Sequence, residues 1–220
     1  QAESYYQHIY DAISEAQPSS YSSLNAGSFN FETPDSARNG GRGYNYGLDL
    51  TMEKFLDRGF YFLSTLSLFE SQYRGSDGVW RNTAFNGNYV FNLVGGKEFV
   101  LKHSQGDKAR RQTLTLDAKV TTAGGQRYTP IDRRRSQEQG QAVYLEDQAF
   151  SEQFDPYFRA DIRVGYKITG RKVTQEWALD IQNVSNHRNP FGREFNAETG
   201  EVETSYQLGL FPMVLYRITF

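Results

Sequence analysis

Apolar and polar residues alternate with period two through most of this chain. From Pro156 to Ile168 the even positions are Pro156, Phe158, Ala160, Ile162, Val164, Tyr166 and Ile168, while the odd positions carry Arg159, Asp161, Arg163 and Lys167. Such a pattern puts every apolar side chain on one face only if the backbone is extended. Tyr44, Tyr46, Leu48, Leu50 and Met52 repeat it, as do Tyr206, Leu208, Leu210, Pro212, Val214, Tyr216, Ile218 and Phe220. Five more segments fit: Ala2–Tyr10, Phe60–Tyr73, Phe85–Leu93, Gln112–Ala123 and Val173–Ser185. The expectation is an all-β fold, an antiparallel meander of about eight long strands.

Composition narrows the choice. Fifteen Tyr, sixteen Phe and twenty Gly among 220 residues favour strands and turns over helices. Cysteine is absent, which removes disulfides, thiolate metal sites and a thiol nucleophile. Lys and Arg total 24 against 26 Asp and Glu, so no basic field points to a nucleic-acid partner. The longest apolar runs, Phe60–Leu63 and Phe211–Tyr216, fall far short of the roughly 20 residues of a membrane helix. A membrane β-barrel stays open, because alternating strands average to polar.

The connections favour that barrel. Lys54–Gly59 and Thr169–Lys172 are tight turns, and Gly95–Ala109 is intermediate. Asp11–Arg42, Arg74–Ala84, Gly124–Asp155 and His187–Ser205 are long and polar. Outer-membrane barrels pair short periplasmic turns with long external loops. Counted back from a periplasmic Phe220, the tight turns fall on the periplasmic side and the long connections outside. Aromatics gather near strand ends (Tyr44, Tyr46, Tyr73, Tyr157, Phe158, Tyr216, Phe220), where interfacial girdles lie. A complete eight-strand barrel with a structural or adhesive role, and a soluble glycan-binding β-sandwich, are the alternatives.

In a barrel the apolar faces look at lipid and the polar faces at the lumen. Asp49, Glu53, Asp117, Arg159, Asp161, Arg163, Glu176 and Asp180 are then candidate lumen-facing residues, and ion pairs among them account for the carboxylates without acid–base chemistry. Trp80 and Arg81, in a short external loop, and the basic run Arg133, Arg134 and Arg135 are candidate loop contacts; an external Arg run would meet lipopolysaccharide phosphates. His8, His103 and His187 lie far apart without ligand spacing and read as solvated or interfacial. The run Gly40–Gly47 lacks dinucleotide-fingerprint spacing and reads as a loop returning to a strand. Asn183-Val184-Ser185 matches a glycosylation sequon but reads as strand. No catalytic, metal or cofactor site is legible, and an enzyme is not expected.

Several stretches carry a resemblance. Asn45–Phe55, Gly75–Tyr89, Gly95–Phe99, Ala123–Asp132, Trp177–Asn186 and the terminal Leu215-Tyr216-Arg217-Ile218-Thr219-Phe220 resemble the C-terminal barrel portion of TonB-dependent outer-membrane receptors. The likeness is greatest to the group with an N-terminal carboxypeptidase-regulatory-like domain. It implies that 1–220 is one piece of a barrel of about 22 strands whose lumen is plugged. It implies a plug outside this chain, coupling through that plug to TonB, and import of a scarce ligand (siderophore, cobalamin, glycan or peptide). It further implies a bacterial outer-membrane location and recognition by the barrel-assembly machinery at Phe220. The opening on Gln1, directly in strand-like sequence, fits a processed chain or a piece of a longer one.

Overall fold

The computed structural model describes residues 1–25, 34, 36–104 and 110–220. In chain order the strands are β1 (Ala2–Glu15), β2 (Ala37–Asp57), β3 (Phe60–Arg74), β4 (Trp80–Asn82), β5 (Tyr89–Ser104), β6 (Arg110–Ala123), β7 (Arg127–Tyr128), β8 (Glu152–Gln153), β9 (Tyr157–Thr169), β10 (Thr174–Gln182), β11 (Pro190–Asn196), β12 (Glu201–Tyr206) and β13 (Phe211–Thr219). Among the described residues one α-helix, α1 (Arg133–Gln139), and two short 3-10 turns, Ser23–Asn25 and Glu146–Gln148, accompany them. The main sheet runs β1-β2-β3-β5-β6-β9-β10-β13, with β4 added beside β3. Every pairing along it is antiparallel between successive long strands. The chain is therefore an all-β antiparallel meander, and its eight long strands are the eight expected from periodicity. The sheet is open: β1 and β13 stand at its two ends, unpaired to each other.

Strand limits differ from expectation where period two fades. β5 begins at Tyr89 rather than Phe85, because Ala84–Gly87 turns to meet other connections. It continues to Ser104, so most of the expected Gly95–Ala109 connection is strand. Positions 105–109, and 26–33 and 35 of the expected Asp11–Arg42 connection, lie outside the described residues, as does the side chain of His103. The Gly40–Gly47 run is strand throughout, within β2. β13 begins only at Phe211, since Pro190–Tyr206 forms its own hairpin, β11–β12. β10 ends before Asn183, which turns away with φ 48° and is buried. The sequon residues are thus turn rather than strand.

The β2–β3 connection is the two-residue turn Arg58-Gly59, with φ 49° and 76°, the hairpin geometry that suits strand twist. Its strand ends share one edge of the sheet with the β5–β6 and β9–β10 connections, and all four long connections emerge at the opposite edge.

Burial is inverted relative to a water-soluble sheet. Ile162, Val164, Leu179, Val214 and Tyr216, all on the apolar face, are exposed. Among the described residues no second sheet of comparable size covers them. The polar face is the better shielded one, and Arg163, Glu176 and Asp180 are each no more than a third accessible. Among the described residues the fully buried groups are largely polar (Ser14, Ser22, Asn25, Thr83, Asn86, Ser136, Asn183, Asn189), and most sit in the long connections. No described helix is long and apolar enough to cross a membrane, which leaves crossing by strands open.

The connections interlock through hydrogen bonds. The Ser19 N–H donates to Ser76 Oγ at 3.0 Å, and Ser76 Oγ donates to the Gln17 carbonyl at 2.5 Å. The Ala84 N–H donates to Asn25 Oδ1 at 2.7 Å. Asn86, fully buried, accepts the Ser71 N–H and donates to Glu70 and Asn82. Gly124 packs so tightly on Gly87 that a Cβ there would overlap the Gly87 carbonyl oxygen. Neither backbone can yield without breaking the loop contacts. Gly124→Ala is therefore expected to cost about 1–3 kcal/mol, read as a lower urea midpoint. Gly40→Ala, whose Cβ would stand 3.7 Å from Ser14 Oγ, is expected to leave the midpoint unchanged.

Candidate functional site

Two regions concentrate polar chemistry: the polar face of the sheet and a cavity among the long connections.

On the polar face, cross-strand register sets residues directly opposite one another. Gly96, Asp117, Arg163, Asp180 and Met213 form one row across five strands, from β5 to β13. Arg163 Nη2 lies 2.7 Å from Glu176 Oε1, and Nη1 lies 3.4 Å from Asp180 Oδ2. Arg217 approaches the other Glu176 oxygen at 3.8 Å. Arg159 pairs with Asp161 at 2.7 Å, and Asp161 also accepts the Asn183 N–H at 2.8 Å. Tyr61 reaches from β3 across Gly96 and donates its hydroxyl to Asp117 Oδ1 at 2.8 Å. A Cβ at Gly96 would collide with both that ring and that carboxylate, so glycine is required for the crossing.

Of the eight polar residues expected on one face, six thus gather on β6, β9 and β10. Asp117, Asp161, Arg163 and Asp180 line a cavity of about 280 Å³ together with Lys119. Asp49 and Glu53 share their face but stand on β2, opposite Ser67 and Leu63, apart from this cluster. The arrangement neutralises charge pairwise and holds side chains in place. Among the described residues no group of three His, Asp or Glu is placed to hold a metal.

The expected loop contacts are engaged within the chain. Trp80 and Arg81 lie in β4, paired with β3, rather than in a loop. The Trp80 ring stands 5.0 Å from Tyr44 and takes the Arg74 guanidinium at 5.4 Å. Arg81 makes two hydrogen bonds to Asp77, at 3.0 and 2.6 Å, with its side chain nearly buried. Arg133, Arg134 and Arg135 lie on α1, capped by Asp132 Oδ1 and closed by Gly140 at φ 69°. They pair with Glu201, Glu138 and Asp132 in turn. The run is a solvated, neutralised helix face. His8 lies beside Tyr10 and His187 beside Phe158. Phe220, beyond the end of β13, is almost fully exposed.

The second region is a cavity of about 370 Å³ walled by several of the connections. Tyr73, buried at the end of β3, meets Phe150 edge-on at 6.3 Å. Tyr128 stacks on Phe154 at 4.3 Å, and the Arg193 guanidinium covers Tyr128 at 5.5 Å. Arg127, Phe191, Glu146 and Asn25 complete the parts of the wall that matter chemically. Tyr73, expected in an interfacial girdle, is instead buried against Phe150, and none of the other residues stands out by motif. The available signal was aromatic density outside the long strands: Tyr128, Tyr144, Phe150, Phe154 and Phe191 all fall in connections.

No family model, curated protein or solved structure matches this chain.

Asp77 offers a pH test of the loop architecture. Burial works to raise its carboxyl, but the Arg81 hydrogen bonds and the Val79 N–H outweigh this and hold it below the ordinary carboxylate range. A carboxyl lowered on folding stabilises the fold above its unfolded pKa, near 4, and that contribution disappears as pH falls through the lower folded value. Wild-type stability is expected to drop below about pH 4 more steeply than that of Asp77→Asn. Parallel urea titrations from pH 6 to pH 2.5 check it, and parallel slopes would remove Asp77 from the account.

Proposed function

We propose that this chain supplies wall and external loops of an outer-membrane β-barrel receptor of the TonB-dependent kind, which imports a scarce ligand. The observation that carries the reading is the inverted burial. The six strands β1, β2, β3, β5, β6 and β9 run 13 to 21 residues, and apolar-face residues of the sheet are exposed while charges pair on the other face of β9, β10 and β13. A tilted bilayer crossing needs about 9 to 11 residues, so such strands cross with residues to spare. In water that apolar face would be an aggregation surface, whereas against lipid it is the solvated face.

Two further features support it. The long connections leave one edge of the sheet and the tight turns the other, as external loops and periplasmic turns do. The free edges of β1 and β13 need partners, since unpaired backbone is not tolerated in hydrocarbon, and further strands supply them more directly than self-association or closure. Those strands, and a plug against the polar face, would come from the rest of a larger receptor. Outer-membrane lipid and lipopolysaccharide, the TonB coupler acting through the plug, and the barrel-assembly machinery at Phe220 are the partners this reading entails. The chain itself does no chemistry on the ligand.

Leu179→Arg or Val164→Arg is expected to cost about 2 to 4 kcal/mol of membrane stability near the bilayer midplane. Asp180→Asn is expected to leave insertion intact. A folding assay into lipid vesicles reads both, and equal behaviour of the two classes would overturn the assigned facing. An immunoblot of detergent-extracted outer membranes is expected to show a band several times 25.2 kDa. A heat-modifiable band near that mass would instead mean a complete eight-strand barrel, and extraction without detergent would mean a soluble module.

A further inference from the structure

We infer that the 370 Å³ cavity among the connections is a binding site for an apolar carboxylate, with Arg193 as the principal anion contact. The inference deepens the receptor reading and rests on it for how the ligand arrives and leaves.

The wall is chemically lopsided. Its apolar part is aromatic, and within it Tyr128 is already stacked on Phe154 and contacted by the Arg193 guanidinium. Ring edges and the exposed Phe191 remain, and these suit a compact apolar group. The polar part is cationic. Two arginines stand against one carboxylate, Glu146, whose recorded partner is the Ser20 hydroxyl at 3.1 Å. Neither arginine has a carboxylate within ion-pairing distance among the described residues.

The arginines differ in role. Arg127 is a strut: Nε donates to the Asn86 carbonyl at 3.2 Å and Nη2 to Asn88 Oδ1 at 3.4 Å. Arg193, on the exposed β11–β12 hairpin, donates no hydrogen bond among the described residues, and its cation–π contact leaves its in-plane donors unused. A guanidinium presents its N–H groups in a planar fork that matches a carboxylate in two parallel bonds. Asn25 adds a donor to the same wall. Its Oδ1 is taken by the Ala84 N–H, while Nδ2 is buried near the Tyr73 phenol without a hydrogen bond of proper geometry. Such a group favours an arriving acceptor over an apolar atom.

The carboxylate can belong to a small free acid or to a peptide C-terminus. The test uses the whole native protein, purified from whichever phase, detergent or aqueous, it partitions into. A failed binding result is thereby separate from a failed membrane assignment. Isothermal titration with 3-phenylpropionate is expected to give saturable binding, and the uncharged 3-phenylpropanamide to bind roughly tenfold more weakly or worse. Arg193→Gln is expected to erase that acid–amide difference, while Arg134→Gln, on the solvated face of α1, leaves it intact. Phe191→Ala is expected to weaken acid and amide alike. Gly-Gly-Phe with a free C-terminus competing for the site would assign a peptide source, and no competition a free acid; either upholds the carboxylate site. No saturable heat, equal affinity for acid and amide, or an Arg193→Gln protein that still discriminates would overturn it.

Discussion

The row Tyr61–Asp117–Arg163–Asp180 depends on a register that cannot slip. With a side-chain period of two, a shift of one residue between β6 and β9 would move Arg163 to the apolar face and bring Val164 against Asp117. The charged row across β6 and β9 would break with it, while the Arg163–Glu176 and Arg163–Asp180 pairs depend in the same way on the β9–β10 register. The close crossing of Tyr61 over Gly96 adds a steric lock, because no other position in β5 near that ring lacks a side chain on the same face. Charge pairing, facing and strand alignment are thus one constraint. The exposed apolar face follows from it as directly as the paired polar face does.

The sheet and its connections divide the physical work. The long strands satisfy their backbone through ladders and leave one face bare. Much of the conventional burial lies instead at strand ends and in the connections, where Tyr73 at the end of β3 and Asn86, Ser136 and Asn183 are almost wholly sequestered. These buried groups are mostly polar and, Asn25 Nδ2 and Arg81 Nε apart, their buried side-chain atoms are hydrogen-bonded within a narrow geometry, so the connections are held more specifically than an apolar cluster would hold them. That specificity lets a cavity with defined walls exist in segments that read as polar loop.

Legibility in the sequence follows the same division. Strands announce themselves through alternation, so all eight were readable, as was the face on which Arg163, Glu176 and Asp180 meet. β5 was cut short because Gly95-Gly96 reads as a turn signal, whereas its role is to admit Tyr61. α1 was missed although Asp132 and Gly140 stand at its two ends, since the dense Arg run between them drew a charge reading instead of a capping one. The cavity was not legible, because Tyr73, Tyr128, Phe150 and Arg193 come together only through contacts distant in sequence. Periodicity carries no information on such contacts.

The interlocked connections also set an order of assembly. Each ladder of the sheet joins successive long strands, so the entropy of closing it is modest and the meander can grow hairpin by hairpin. The bonds among the connections span much longer stretches of chain: Ser19 to Ser76, Ser20 to Glu146, Arg133 to Glu201. They can form only after the strands beneath them are aligned. The contacts among the connections are therefore expected to order after the sheet beneath them is in register.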